Sequence, residues 1–376
     1  MNFDKSLINI NKDPKDIKIV VAMSGGVDSS VVAVMLKKFG YQVIGITLQL
    51  YDHGEILKKK NACCAGTDIY DAKKVANQHN FPHYTLNYQN NFKEHVIDDF
   101  VNSYLEGSTP IPCVKCNQSV KFGDLLKVAK DLKVDAMATG HYVQRKINQY
   151  FQPELHKAID ATKDQSYFLF STTNEQLDFL RFPLGGFYKE YTRQLAQEFG
   201  LEIANKPDSQ DICFVPNNDY AQVIRKYRPD SFKIGNIIHI KTQEILGQHA
   251  GVVNFTIGQR RGLGIAYPNP LYVIKIDAKN NQIFVGEEEF LDEQIFYIND
   301  CNWLCTSPKI GEKFEAEIRI RSTTKEQPAT IEILPNNRAK IIMKSMTRAI
   351  TAGQAGVVYI NDRVLGGGWI EKYNLN

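Results

Sequence analysis

Apolar positions in the first half of the chain alternate between short unbroken runs and helical stripes. Residues 19–23 form a run rich in β-branched side chains, which predicts a buried strand of a parallel sheet. Residues 31–36 carry the apolar text on towards Gly40, which predicts a helix closed by glycine. Residues 42–50 and 83–87 read as further strands, and 134–138 as a short one ending at Thr139-Gly140-His141. Residues 67–79 read as a helix with Thr67 as N-cap and Asp68 in its first turn. Phe92, Val96, Phe100 and Tyr104 make one helical stripe over 92–105, and 120–132 is another helix. Alternating βα units imply a doubly wound parallel sheet, whose ligands bind at the carboxyl ends of the strands. That rule puts Ser24, residues 48–51 and Gly140–His141 on one edge.

After about residue 215 the period shortens. Alternating runs at 237–241, 272–276, 314–321, 329–334, 339–344 and 356–360 are broken by Gly, Asn and Pro. The expected architecture is therefore an α/β, doubly wound parallel-sheet nucleotide-binding domain over 1–215. A small β-rich central domain over 216–286 and a C-terminal β-barrel over 287–376 follow it.

Composition narrows the class without naming it. The 376 residues are 43% hydrophobic and 23% charged, enough to build globular cores. A net charge of +3 neither demands nor excludes a nucleic-acid partner. No apolar run approaches a membrane span, and Met-Asn-Phe-Asp-Lys lacks a signal-peptide layout. A cytoplasmic, reducing setting is expected, in which the seven cysteines read as catalytic or metal-binding rather than as disulfides.

Ser24, Gly25 and Gly26 lie between the first strand and the first helix. Unbonded N–H groups and the helix dipole make such a junction an anion site. No Gly-Lys-Ser/Thr follows, and Gly-x-Gly-x-x-Gly is absent at this junction. Ser-Gly-Gly-Val-Asp-Ser-Ser resembles instead the loop of the ATP pyrophosphatases, which grips the pyrophosphate end of ATP. Asp28 has two open readings: it orients the phosphate end or a Mg²⁺ ion, or it satisfies the dipole of the first helical turn.

Two cysteine motifs add chemistry. Pro110–Asn117 contains Cys113 and Cys116 and reads as a loop ahead of the 120–132 helix. A thiol just before a helix start is favoured as thiolate, and Lys115 adds a nearby cation. The second motif is Pro207-Asp208-Ser209-Gln210-Asp211-Ile212-Cys213-Phe214. Taken singly, either cysteine reads equally well as a small buried hydrophobe.

The phosphate loop, Pro-x-x-x-Cys-Asn, Ala-Thr-Gly-His-Tyr at 138–142, Lys163-Asp164-Gln165-Ser166, the Cys213 motif and Gly258-Gln259-Arg260-Arg261-Gly262-Leu263-Gly264 occur in one order. Together they resemble the tRNA-specific 2-thiouridylase family of the PP-loop superfamily, over roughly residues 17–370. The resemblance implies that ATP adenylates O2 of the wobble uridine in tRNAs for Lys, Glu and Gln. Sulfur then replaces the adenylated oxygen and AMP leaves. By position Cys213 matches the persulfide cysteine, and Cys116 the cysteine that releases sulfur by forming a disulfide with it. The sulfur donor is a cysteine desulfurase or a sulfur-relay protein. Ala22, Met23, Ser24, Gly25, Gly26, Val27, Asp28 and Ser29 match ATP contacts, with Leu48 against the adenine and Gly140 lining the site. Ile111, Pro112, Cys113, His141, Lys163, Asp164, Gln165, Arg321, Ser322 and Gln354 match tRNA contacts, and Mg²⁺ accompanies ATP.

Residues 313–348 carry eight Lys and Arg against four Asp and Glu, with Arg319 and Arg321 on one strand face. This suits RNA phosphates or, equally, a solvated basic strand. One departure matters: some family members have Asp where this chain has Cys113. Cys113, Cys116 and Cys213 are then three thiols suited to an iron–sulfur cluster, a rival route to the same product. Zinc lacks its usual second ligand pair. Cys63 and Cys64 read as structural or surface thiols, and Cys301 and Cys305, flanking Trp303, as packing residues. A non-catalytic tRNA binder would need none of Ser24, Asp28, Cys116 and Cys213. An amidotransferase-type synthetase would need an N-terminal cysteine nucleophile, which is absent here.

Overall fold

The computed structural model describes residues 8–51, 64–208, 212–215 and 219–371. Cys63 and the Ser209–Asp211 part of the Cys213 motif lie outside the described residues, as does the Cys64 side chain. The chain forms two compact units: residues 1–95, 114–210 and 362–364, and residues 96–113, 211–361 and 365–376.

In the first unit, β1 (Lys18–Ala22) runs parallel to β2 (Gln42–Gln49) on one side and β4 (Ala136–Ala138) on the other. β3 (His83–Asn87) and the two-residue β7 (Leu180–Arg181) complete the sheet order β3-β2-β1-β4-β7, all parallel. The central position of β1 explains its unbroken apolar run, since Ile19, Val20 and Val21 are all buried. α1 (Val27–Lys38) covers this sheet and ends at Phe39, with Gly40 at φ +90° as the glycine stop expected from sequence.

Three local expectations need correction. The second helix, α2 (Cys64–Gln78), starts before Thr67, so Thr67 is inside the helix rather than at its N-cap. The 92–105 stripe is three pieces: a turn Gln89–Phe92, a π-helical stretch Lys93–Ile97 and α3 (Asp98–Leu105). The extra residue of the wide turn lets consecutive residues Val96 and Ile97 both face inward. The segment around Cys116 is not a loop. It is helical from Pro112–Lys115, π-helical over Cys116–Asp124, and continues as α4 (Leu125–Asp131). Pro112 starts this helix at no cost in hydrogen bonds, and buried Val114 anchors it. Ser119 Oγ donates to the Lys115 carbonyl at 2.6 Å within the widened turn. Cys116 thus sits beyond the first turn, where the dipole effect falls off, and the dipole argument for its thiolate does not hold.

Between 143 and 215 the pattern gives little, and the structure supplies an antiparallel hairpin, β5 (Val143–Ile147) and β6 (Pro153–Lys157), and α5 (Lys189–Glu198).

In the second unit, α6 (Tyr220–Tyr227) precedes a four-stranded sheet. Its strands are β8 (Gly235–His239), β9 (Ile245–His249), β10 (Tyr272–Asp277) and β11 (Gln282–Gly286), in the order β10-β11-β8-β9. Then β12 (Asp292–Trp303), β13 (Lys313–Arg319), β14 (Gln327–Leu334), β15 (Arg338–Arg348), β16 (Ala355–Ile360) and β17 (Arg363–Ile370) close a barrel through the β12–β17 pair. Ile298, Ile318, Ile331, Ile341 and Val358 fill its core. Cys301 lies in that core, where burial pushes its thiol up to about 12, and Cys305 packs against it.

Candidate nucleotide site and thiols

The loop after β1 is braced from within. Ser29 Oγ accepts from the Ser24 backbone N–H at 3.1 Å and lies 3.3 Å from Ser24 Oγ. Gly26 is the N-cap of α1, so the first-turn N–H groups are presented at the carboxyl edge of the sheet. Gly25 has φ +77°, and a Cβ there would sit 2.1 Å from the Asp68 carbonyl oxygen. Only glycine lets the loop lie against α2 this closely. A Cβ on Gly140 would fall 2.8 Å from the Ser29 nitrogen, so the end of β4 touches the first turn of α1. Met23 and Val27 are buried beneath the loop, and Ala22 is half-buried, which leaves backbone as their means of meeting a nucleotide. Leu48 is half-buried near the carboxyl end of β2, in register with Leu86 of β3.

Asp28 answers to neither earlier reading alone. Lys189 Nζ, at the start of α5, donates to Asp28 Oδ1 at 2.6 Å and to Oδ2 at 2.8 Å. Tyr142 Oη donates to Oδ1 at 3.0 Å, and Lys189 Nζ lies 5.6 Å from the Tyr142 ring centre. Burial and the Asp28 charge raise the Tyr142 pKa, so the phenol stays protonated and donating. With an ammonium bonded to both oxygens, Asp28 does not fit the role of Mg²⁺ ligand. Among the described residues no three His, Cys, Asp or Glu side chains gather as a metal-ligating set.

The ionic chain continues. Lys189 Nζ also lies 2.9 Å from Asp208 Oδ1, which receives Arg193 Nη2 at 2.9 Å, while Lys163 Nζ donates to Asp208 Oδ2 at 2.8 Å. Lys206 Nζ donates to the Gly25 carbonyl at 3.1 Å and to Asp68 and Asp71 at 2.7 Å each. Residues 206–208 therefore bind both the phosphate loop and α5. Burial alone would raise Asp208, but the hydrogen bonds and charges of Lys163 and Lys189 outweigh it and hold the carboxyl at about 2.

A depressed carboxyl contributes stability above its unfolded pKa and loses it as pH falls through the folded one. Against an unfolded value of ~3.9, the shift corresponds to about 2 kcal/mol, fully present above pH ~4 and fading towards pH ~2. The urea-midpoint gap between wild type and Asp208→Asn is expected to shrink over that window. A gap independent of pH from 5 to about 2 contradicts the assignment.

The remaining candidates in this unit are mostly engaged with the protein itself. His141 stacks edge-on near Phe122 and Phe182, with Nδ1 2.8 Å from Thr139 Oγ1. Burial, then the Lys121 charge, pushes it down to about 3, so any RNA contact is made by a neutral ring. Asp164 accepts from the Ala158 nitrogen at 3.0 Å and from Ser166 Oγ at 2.7 Å. Gln165 Oε1 accepts from the Tyr142 nitrogen at 2.9 Å. Cys116 is buried, and next to it Asn117 donates to the Phe168 carbonyl at 3.2 Å.

In the second unit, Cys213 is exposed in a turn closed by the Val215 nitrogen on the Ile212 carbonyl at 2.9 Å. Buried Phe214 anchors that turn edge-on to Phe100 at 5.2 Å. Cys113 is exposed, while Ile111 and Pro112 are buried. Gln354 Nε2 donates to the Thr109 carbonyl at 3.0 Å, and the Thr109 nitrogen donates to the Ala352 carbonyl at 2.9 Å. The Gln354 side chain, matched to tRNA contact by position, holds the stretch leading to Cys113. Arg321 donates to the Ala349 carbonyl and to Thr351 Oγ1, each at 2.7 Å, while Ser322 is exposed. Arg319 pairs with Glu326 and lies over Tyr359, so the basic strand pictured from sequence spends two guanidiniums internally.

Lys189, Lys206 and Asp208 escaped sequence reasoning. Lys206 and Asp208 carried a signal, since Lys206 directly precedes the Cys213 motif and Asp208 stands inside it, though no role was read for either. Lys189 carried none.

A strand–glycine-loop–helix junction on a parallel sheet, followed by a small β sheet and a barrel, defines a HUP-type nucleotide-binding protein with β-rich appendages. Residues 17–217 match the family model described as tRNA methyl transferase HUP domain. Residues 221–287 match its PRC-barrel domain, and 293–370 the aminomethyltransferase beta-barrel domain. The chain is 60% identical to the tRNA-specific 2-thiouridylase MnmA of Rickettsia canadensis, over 96% of this chain and 98% of that protein. It is 59% identical to the MnmA of Rickettsia conorii over the same shares. The chain belongs to the MnmA family. Among solved structures, the U34-tRNA thiolase NcsA from Methanococcus maripaludis with its [4Fe-4S] cluster aligns over 60% of this chain and 71% of its own. That match has 18% identity and a TM-score of 0.35, too loose to bear on the chemistry here.

Proposed function

We propose that this chain catalyses ATP-dependent 2-thiolation of the wobble uridine of tRNAs for Lys, Glu and Gln, with AMP and pyrophosphate as by-products. The observation that carries this is the braced Ser24–Ser29 loop in a chain that also holds Cys116 and Cys213 and is 59–60% identical to proteins named tRNA-specific 2-thiouridylase. The family models speak of methyl transfer, but a phosphate loop suits activation by ATP, and a methyl group would require neither thiol.

The loop's N–H groups hold the pyrophosphate end of ATP, and Lys189 keeps Asp28 neutralised beside it. Uridine O2 attacks the α-phosphorus, N3 gives up its proton and pyrophosphate leaves. The oxygen on C2 is now part of a good leaving group. Sulfur arrives as a persulfide on Cys213, whose exposed turn suits loading by a cysteine desulfurase or a relay protein. The Cys116 thiolate attacks the inner sulfur of the persulfide and a Cys116–Cys213 disulfide forms. Hydrosulfide leaves with the electron pair. Hydrosulfide adds to C2, AMP departs and the thione remains. An external thiol then reduces the disulfide. No step is routed through iron, and a Mg²⁺ ion would be carried by the nucleotide's own phosphates.

The test is an anaerobic reaction with ATP, Mg²⁺, a sulfur donor and unmodified lysine tRNA, read by nucleoside mass. 2-Thiouridine with stoichiometric, tRNA-dependent AMP is the expected result. AMP formation indifferent to tRNA, with no thiouridine from a verified donor, overturns the proposal.

A further inference from the structure

The β5–β6 hairpin ends in a tip that the fold itself does not call for. Tyr150 is 72% exposed and Phe151 is 89% exposed. Phe151 also has φ +62°, a left-handed conformation that Asn or Gly adopts readily and a bulky residue does not. The tip is nevertheless held rigidly by Asn148. Its carbonyl accepts from the Phe151 nitrogen at 3.0 Å, and its own N–H donates to the Gln152 carbonyl at 3.0 Å. Its side-chain oxygen accepts from the Tyr150 nitrogen at 2.9 Å and the Gln152 nitrogen at 3.0 Å, while Nδ2 donates to Glu154 at 3.1 Å. Two large rings are thus fixed in water, one of them on a strained backbone.

The surroundings favour one kind of partner. No acidic residue occurs from Val143 to Pro153, and Lys146, Gln149 and Gln152 are exposed around the rings. Each ring offers a face on which any nucleobase can stack, and the polar, cationic flanks suit ribose and phosphate. A second copy of the chain would need far more apolar surface, about 800 Å² per partner, than two side chains supply. The finger is also rooted at the right place. β5 leaves from Gly140–Tyr142, the carboxyl edge of the sheet where the phosphate loop lies. Five strand residues at ~3.3 Å each put the tip about 17 Å from that root. This is a few nucleotides along an RNA.

We propose that Tyr150 and Phe151 form a stacking finger for an unpaired base of the RNA substrate, away from the uridine that reacts. The inference rests on the tRNA reading above. Rigid presentation means little ordering cost is incurred on binding.

The experiment measures lysine tRNA affinity of the full-length protein across a salt series for wild type, Tyr150→Ala, Phe151→Asn and Phe151→Tyr. Asn is chosen because it tolerates the left-handed backbone, so the variant keeps or gains thermal stability. Stacking contributes roughly 1–3 kcal/mol per base, so Tyr150→Ala and Phe151→Asn are each expected to weaken binding about 5- to 150-fold. Phe151→Tyr stays near wild type. The slope of affinity against salt stays unchanged, because no cation is removed. ATP affinity also stays unchanged. Variant affinities within twofold of a tight wild type overturn the finger alone, as does a loss of self-association with RNA binding intact. A wild type that fails to bind tRNA overturns the reading beneath it.

Discussion

Cys213→Ser is expected to abolish 2-thiouridine while leaving ATP binding at wild-type strength. The contacts that brace the phosphate loop are made by Ser29, Gly140 and Lys206, so serine at position 213 is expected to cost sulfur transfer while that loop stays in place. On the proposed relay, loss of the thiol that carries the sulfur is worth at least ~10³-fold in turnover. Cys116→Ser should match it in thiolation but differ in one respect. It still accepts sulfur from the donor and should accumulate a stable persulfide on Cys213, visible by mass. Cys113→Ser should retain most activity. Equal loss in all three variants, together with iron in the wild type, would replace the persulfide relay with a cluster.

Lys189→Met is expected to be the most destabilising single change outside the hydrophobic cores. Lys189 is only 8% exposed and bonds carboxylates on two sides, Asp28 and Asp208. Removing it leaves Asp28 and Asp208, 32% and 24% exposed, without that cation, with Lys163 still on Asp208, and breaking a largely buried pair this way costs about 3 kcal/mol. For a unit of this size that lowers Tm by roughly 6–12 °C. Tyr142 and Arg193 soften the loss but neither replaces an ammonium between two carboxylates. The double variant Asp28→Asn/Lys189→Met should be less unstable than the sum of its singles, since Asp28 then needs no counterion. A Tm within 1–2 °C of wild type for Lys189→Met, or strict additivity, would contradict the role assigned to this ion chain.

What could be read from the chain follows the range of the interactions involved. β1, the phosphate loop and α1 were legible because 22 consecutive residues, 19–40, hold the run, the glycines and the stop. The barrel strands were legible because alternation over six residues is a strong local signal. The wide turns at Lys93–Ile97 and Cys116–Asp124 were not, because a change of helical pitch over five or nine residues leaves the apolar stripe nearly intact. β7 has two residues and no period to detect. Among the candidate residues, the glycines and thiols announced themselves by motif. The partner of Asp28 did not: it lies 161 residues away, and an ion pair imposes no spacing on the chain between its members. The same limit explains why the intramolecular partners of Gln165 and Gln354 could not be read from the chain.

The bond from Gln354 to Thr109 spans 245 residues, and its consequence concerns the order of events on the ribosome. Residues 96–113 leave the ribosome early but belong to a unit completed only by the last strands of the barrel. At about 5–20 residues per second, the stretch ahead of Cys113 waits roughly 10–50 seconds for its anchor. Until then a nascent chain has its phosphate loop in place and its exposed thiol segment unfastened. Any chaperone that shields this stretch has that interval in which to act.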